Sequence, residues 1–329
     1  MSALRKLGVL TLIAAAAGGY ALWRVESPYQ AFSGDTFVEF AHGTSTGAMA
    51  DKLAAAGVVR SRWDFLLARL LHRHGVLQAG EYRFRHAASA ATVVGRIGRG
   101  DIFYYELVVP EGKTLFDIGA AVEELGVMKA SDFIPVALNP AMIRDLDPTA
   151  PSLEGYLFPN TYRLGRHTTA ERLCRTMTGK FREAWKSLHS DADVHDTVTL
   201  ASLVEKEGKL AEERPHIAAV FANRLRIGMK LDCDPTTIYA AQLQHRYNGV
   251  IHRSDLASDH PYNTYRHTGL PPGPIANPGL ASLRAAMTPA DSDSLYFVAK
   301  VDGSGGHEFS SNIAAHETAV DRYRRAHRK

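Results

Sequence analysis

The chain has 329 residues and a formal net charge of +3, with 45% hydrophobic and 22% charged residues. These values exclude wholesale disorder and a polytopic membrane protein, and a charge this small gives no argument for nucleic acid as a partner. The length suits two domains, and the two cysteines, Cys174 and Cys233, exclude a cysteine-rich zinc site while leaving one disulfide or two free thiols open.

Leu7 to Trp23 is a run of 17 residues without charge, preceded by Arg5 and Lys6 and followed by Arg24. It is just long enough to span a membrane. The basic tail favours a cytoplasmic N-terminus, with everything after Arg24 exported. Ala15-Ala16-Ala17 also reads as a signal-peptide cleavage site. Because Tyr20 to Trp23 continues the apolar run past that site, a retained anchor is the preferred reading. Val25 to Asp35 then reads as a linker.

A small unit follows, about Thr36 to Gly100. Thr36–Phe40 alternates like a strand. Ser45–Ala56 and Arg62–Leu71 carry apolar residues at helical spacing, the first stopping at Gly57. Gly80–Arg85 reads as a strand and Ala90–Ile97 as a helix ending at Gly98. Gly43-Thr44-Ser45 and Gly57-Val58 recur 69 residues later as Gly112-Lys113-Thr114 and Gly126-Val127, each time after a strand-like run, which suggests one strand–turn–helix unit used twice. From Ile102 no linker is evident, and one larger domain of mixed α+β class is expected. Ser294–Lys300 and His307–Phe309 flank a glycine-rich turn and predict a hairpin. Asn312–Arg325 predicts a terminal helix.

Val198 to Asp234 carries the chemistry. Val198, Leu200, Ala201, Leu203 and Val204 cover every side of a helix, which must therefore be buried. Glu205 and Glu207 arrive at its end. They are two apart, about 200° around the axis, so they face opposite ways and cannot act as a pair. Glu205 continues the face of Val198 and Ala201, where apolar walls would favour the protonated carboxyl that a general acid needs. An ion pair with Lys206, Lys209 or Arg214 is the structural alternative. Ile217, Val220, Phe221 and Leu225 form a core stripe on the next helix. Asp234-Pro235-Thr236 reads as a helix cap, with Asp232 or Asp234 as a second carboxylate beside Glu205 the other reading. Tyr262-Asn263-Thr264-Tyr265 and the stretch Gly269 to Gly279, which includes Gly273, suit either loop punctuation or a stiff, sugar-binding wall. Asn277-Pro278 reads as a cap for a helix Gly279–Met287. Fifteen histidines include no HExxH and no tight ligand spacing, so no metal is expected, and no cofactor-binding motif is present.

The segments LEGYLFPNTY (Leu153–Tyr162), ASLVEKEG (Ala201–Gly208), VFANRLRIGMKLDCDPT (Val220–Thr236), YNTY (Tyr262–Tyr265), GLPPGPIANPG (Gly269–Gly279), YFV (Tyr296–Val298) and GGHEFSSN (Gly305–Asn312) resemble the endolytic murein transglycosylase family, also called MltG or YceG-like. The resemblance implies a tail (1–6), a transmembrane anchor (7–23), a linker (24–35), a LysM-like subdomain (36–101) and a YceG-like catalytic domain (102–329) in the periplasm, on a single-pass inner-membrane protein. It implies a lyase that cuts MurNAc–GlcNAc β-1,4 bonds within peptidoglycan strands, leaves 1,6-anhydroMurNAc ends and ends nascent strands beside the peptidoglycan synthases. The first Glu of the family's ExE motif falls on Glu205, the implied single acid/base. Tyr262, Asn263, Tyr265, Gly273 and Asp234 are the candidate substrate contacts. On this reading Glu205→Gln abolishes cleavage and Glu207→Gln retains more of it. A non-catalytic peptidoglycan-binding scaffold and a two-carboxylate muramidase are the alternatives.

Overall fold

The computed structural model describes residues 3–72 and 75–327. The first two residues of the expected tail, two inside the expected LysM-like stretch and the last two of the catalytic stretch lie outside them. The chain divides into two compact units, Met1–Tyr104 and Tyr105–Lys329.

The first unit begins with α1 (Ala3–Glu26), of which Arg5–Glu26, 22 residues, is long and apolar enough to cross a membrane. The stretch read as a linker is tied down: Val25 is fully buried, Tyr29 bridges to Ala88, and the Ala31 N–H donates to the Gly57 carbonyl. Then come β1 (Thr36–Phe40), α2 (Thr46–Ala55), α3 (Arg62–Leu71), β2 (Gly80–Phe84) and α4 (Ala90–Arg99). Antiparallel pairing sets Thr36 opposite Phe84 and Phe40 opposite Gly80. Alternation along β1 turns Val38 and Phe40 into a core shared with Leu53, Phe65, Tyr82 and Ile97. Ser45, Ser61 and Ser89 cap the three helices, each hydroxyl accepting the N–H three residues on. α4 runs past Gly98 and stops at Gly100, which takes the left-handed conformation that glycine adopts without steric cost.

The second unit opens with β3 (Tyr105–Val109), α5 (Leu115–Glu124), α6 (Ala130–Ala137), β4 (Asn160–Leu164) and α7 (Ala170–Ser187). β3 pairs antiparallel with β4, Tyr105 opposite Leu164. The suspected repeat is present in the structure. β1 and β3 have five residues each, α2 and α5 ten each, and their first residues lie 69 positions apart in both cases, Thr36 to Tyr105 and Thr46 to Leu115. Thr114 caps α5 as Ser45 caps α2, and both units run strand–helix–helix–strand–helix.

The rest consists of α8 (Val194–Glu207), α9 (Arg214–Arg226), α10 (Asp234–Leu243), α11 (Arg253–Leu256), α12 (Leu280–Met287), the hairpin β5 (Tyr296–Ala299) and β6 (His307–Ser310), and α13 (Ile313–Ala326). As its all-round apolar sequence requires, α8 is buried from Thr197 to Val204. It belongs to two cores. Val198 and Ala201 pack with β3, β4, α5 and α7, while Leu200, Leu203 and Val204 pack with Ile217, Phe221, Tyr239 and Ile275. A helix clamped on both sides fixes where its last turn, and therefore the ExE pair, is presented.

Candidate functional site

Three loops meet at the end of α8. Asn277 joins them, with a buried side chain whose Oδ1 accepts the N–H groups of Gly155 and Leu157 and whose Nδ2 donates to the Lys113 carbonyl and Glu154 Oε1. It therefore staples the Leu153–Tyr162 and Gly269–Gly279 segments to Glu111-Gly112-Lys113 and does not cap α12, whose N-cap is Gly279. Gly155 has φ +88, and a Cβ there would lie 2.5 Å from Pro274 and 2.8 Å from Val198, so only glycine lets these segments close on α8. Glu154 is wholly buried. Burial lifts its carboxyl to about 8, against the pull of the Leu115 N–H that both its oxygens accept.

The ExE pair diverges as the helix angle requires. Glu205 is not set against apolar walls. Its Oε1 accepts from Arg214 Nη2 at 2.9 Å and its Oε2 accepts from the Gly279 N–H at 3.0 Å, with its side chain only 4% exposed. This is the ion pair foreseen as the structural alternative. Glu111 completes the group, 3.4 Å from Arg214 Nη1 and lying so close over Gly279 that any Cβ there would meet its carboxylate. Gly208 has the same spatial logic: a Cβ would press on Arg214 Cγ and the Val204 carbonyl, both at 3.0 Å.

Glu207 turns the other way, into a cavity of about 440 Å³ walled by Arg224, Asp232, Asp234, Tyr265, Tyr296 and His316 among others. Burial raises the pKa of its carboxyl, the Cys233 thiol that donates to Oε1 at 3.2 Å opposes the rise, and the nearby Asp234 charge adds to it. Cys233 is itself a free, buried thiol pushed far up by burial and by Glu207, so it stays a donor. Cys174, also free, lies in the other core.

Asp232 and Asp234 therefore lie beside Glu207 and not beside Glu205. Asp234 is the first residue of α10, not its cap. Its Oδ1 accepts the Tyr265 hydroxyl at 2.7 Å. Asp232 stands at φ +47, 3.9 Å from Arg224 Nη1, with burial raising its pKa and Arg224 opposing that rise. The other loop candidates are interior. Asn263 is fully buried, its amide donating to the Asp255, Leu256 and Ser258 carbonyls and accepting the Tyr265 N–H, so it shapes the loop and offers nothing to a sugar. Tyr262 is a core residue against Tyr239, their ring centroids 5.1 Å apart. Gly273 is buried where a Cβ would strike Pro151 at 2.7 Å. Of the five substrate candidates, Tyr265 and Asp234 reach the cavity.

Sequence reasoning passed over Glu111, Glu154 and Arg214's double pairing. Glu111 directly precedes the repeated Gly112-Lys113-Thr114 and was discoverable there. Glu154 is an acid inside an otherwise apolar stretch.

The sequence pattern of the YceG-like family matches residues 38–322. The chain belongs to the YceG-like family. A relative in Bacillus subtilis named endolytic murein transglycosylase is 33% identical over 302 residues, 85% of this chain and 82% of that protein. One of the same name in Streptococcus pneumoniae serotype 2 is 31% identical over 84% of this chain, which spans 56% of the streptococcal protein. The crystal structure of a yceG-like protein from Listeria monocytogenes superposes with a TM-score of 0.55 at 30% identity, covering 87% of this chain and 99% of that one.

Proposed function

We propose that this YceG-like chain is an endolytic peptidoglycan lytic transglycosylase, with Glu207 as its single acid/base. The observation that carries the assignment is the Glu207 carboxyl, its pKa raised by burial, at the wall of an open polar cavity. Glu205, the residue singled out by the motif, is taken up by Arg214 and the Gly279 N–H and does not line this cavity. Protonated Glu207 donates to the oxygen of a MurNAc–GlcNAc β-1,4 bond. Asp232 and Asp234 stabilise the positive charge that develops on the sugar. The Glu207 carboxylate then takes the proton of the MurNAc 6-hydroxyl, which closes on C1 and gives the 1,6-anhydro end. The Tyr265–Asp234 hydrogen bond orients that carboxylate, and Glu205, Arg214 and Glu111 position the helix end.

The names of the relatives support the peptidoglycan substrate. The membrane-length α1 supports a single-pass protein; a catalytic unit outside the inner membrane that ends strands beside the synthases is what the family resemblance adds to this reading. The strand–helix–helix–strand order of β1 to β2 supports a LysM-like subdomain within 36–101, with 102–329 as the catalytic domain.

The test is mass spectrometry of glycans released by the full chain in detergent. Fragment ends one water lighter than reducing MurNAc are expected. Glu207→Gln should lower the rate by at least about a hundredfold while the protein stays folded. A folded, active Glu207→Gln protein returns the role to Glu205. The presence of Asp232 and Asp234 beside Glu207 favours a second reading, a two-carboxylate muramidase, which would instead leave reducing ends.

A further inference from the structure

The outer face of α3 is apolar, and its two ends, Trp63 and Leu70, stand out from the core against which Leu66 and Leu67 partly pack. Phe65 and Ala68 are buried in the core of the first unit, while Trp63 is 69% and Leu70 63% exposed on the opposite side, with the half-buried Leu66 and Leu67 between them. At 100° per residue, Trp63, Leu66, Leu67 and Leu70 form one stripe. A solvated helix would carry polar residues there. Leu71 at the helix end and Val76 in the following turn, 47% and 84% exposed, extend the patch.

The position of α3 identifies what covers this stripe. Near its start, Asp64 Oδ2 pairs with Arg24 Nη2 at 2.8 Å, and at its end His72 Nε2 meets Glu26 Oε1 at 2.8 Å. Just before it, Arg60 donates to Ser27 Oγ at 2.8 Å and to the Pro28 carbonyl, and its guanidinium lies over the Trp23 ring. Both ends of a ten-residue helix, about 15 Å long, are therefore fastened to the last turn of α1. Arg24 and Glu26 lie on opposite sides of α1, so α3 lies across the end of that helix and not alongside its apolar length. The exposed surface of α1, with Leu10, Leu12 and Ile13, is long and apolar enough to cross a membrane, and Tyr20 and Trp23 near its C-terminal end are aromatics of the kind that sit at a headgroup layer. The stripe on α3 continues that apolar surface sideways at the level of Trp23, flanked by Arg62 and Arg69.

We infer that α3 is an interfacial helix, docked through Trp63, Leu70, Leu71 and Val76 on the surface of the membrane that α1 crosses, so that the first unit rests on the bilayer. This rests on the reading of α1 as the membrane anchor. The occupant is phospholipid, with the acyl boundary receiving the leucines and Trp63.

The test uses the full chain in vesicles of phosphatidylethanolamine and phosphatidylglycerol, with a solvent-sensitive fluorophore on single introduced cysteines. Labels at Leu70→Cys and Val76→Cys should emit at shorter wavelength than one at Glu39→Cys and lose intensity when the lipids carry bromine on their acyl chains, as a label at Tyr20→Cys does. The Glu39→Cys label should be unaffected. All four positions are exposed, and unchanged circular dichroism confirms folding. If labels at 70 and 76 behave like the one at 39 while a label at Leu12→Cys is quenched, the docking is refuted and the anchor stands. If Leu12→Cys is unquenched as well, the anchor reading falls and takes this inference with it.

Discussion

Glu154→Gln removes a buried titration without removing volume. The carboxyl of a free chain titrates at 4.5 and that of the folded chain at about 8, through burial. Between those limits the unfolded chain is ionised and the folded one holds a proton. Glu154's contribution to stability is therefore complete below about pH 4.5 and is lost as the pH rises through about 8. The full loss is on the order of 5 kcal/mol and reaches about 3 kcal/mol by pH 7. A glutamine reproduces the protonated form: its carbonyl takes the Leu115 N–H and Asn277 Nδ2, and its amide faces the Tyr239 hydroxyl. Thermal melts of the full chain in detergent from pH 5 to 8 measure the effect. Parent and variant should melt together near pH 5. Near pH 7 the variant should melt roughly 6–12 °C higher, as about 3 kcal/mol requires in a unit of this size, and the gap should widen further towards pH 8. Parallel melting curves across that range would refute the argument, because they would mean that Glu154 is already neutralised or hydrated in the fold.

Transglycosylase activity should fall on the alkaline side as Glu207 gives up the proton it must donate, and a pH–rate profile with no alkaline limb would contradict the acid role. Arg214→Gln leaves the buried Glu205 carboxylate with one partner and should cost about 3–5 kcal/mol in urea unfolding. Gly155→Ala should cost at least about 2 kcal/mol, because its methyl group collides with Pro274 and Val198 in a backbone conformation that disfavours it; an unchanged midpoint would mean the loops give way freely. Burial raises the pKa of Asp147, but hydrogen bonds from Tyr156, His195 and Thr149 together hold its carboxyl below its ordinary range. Its contribution is present above the unfolded value of 3.8 and is lost as the pH falls below it, so Asp147→Asn should flatten the acid limb of the stability curve.

What was legible in the sequence was local. The bounds of β1 and α3 follow from alternation and from a serine cap, signals contained in a few consecutive residues. The 69-residue repeat could be seen in two glycine turns. The opposite directions of Glu205 and Glu207 follow from helix geometry alone. What each acid meets does not, because Arg214, Gly279 and Cys233 arrive from other segments and decide which carboxyl is sealed and which faces a cavity. The same applies to Asn263 and Asn277. As loop asparagines both looked suited to surface or capping roles, and only the fold shows their amides spent on carbonyls and N–H groups brought from elsewhere. Asp234 was misread as a cap because Asp-Pro-Thr fits that pattern, whereas its carboxylate is taken by Tyr265.

The walls of the Glu207 cavity are collected over a long stretch of chain, from Glu207 itself through Phe221 and Asp234 to Ile313 and His316 on α13. Synthesis runs in the same direction. A nascent chain that has already made α8, α9 and α10 has Glu207 in place but one wall of the cavity missing. The cavity is therefore walled on all sides only once α13 has been made.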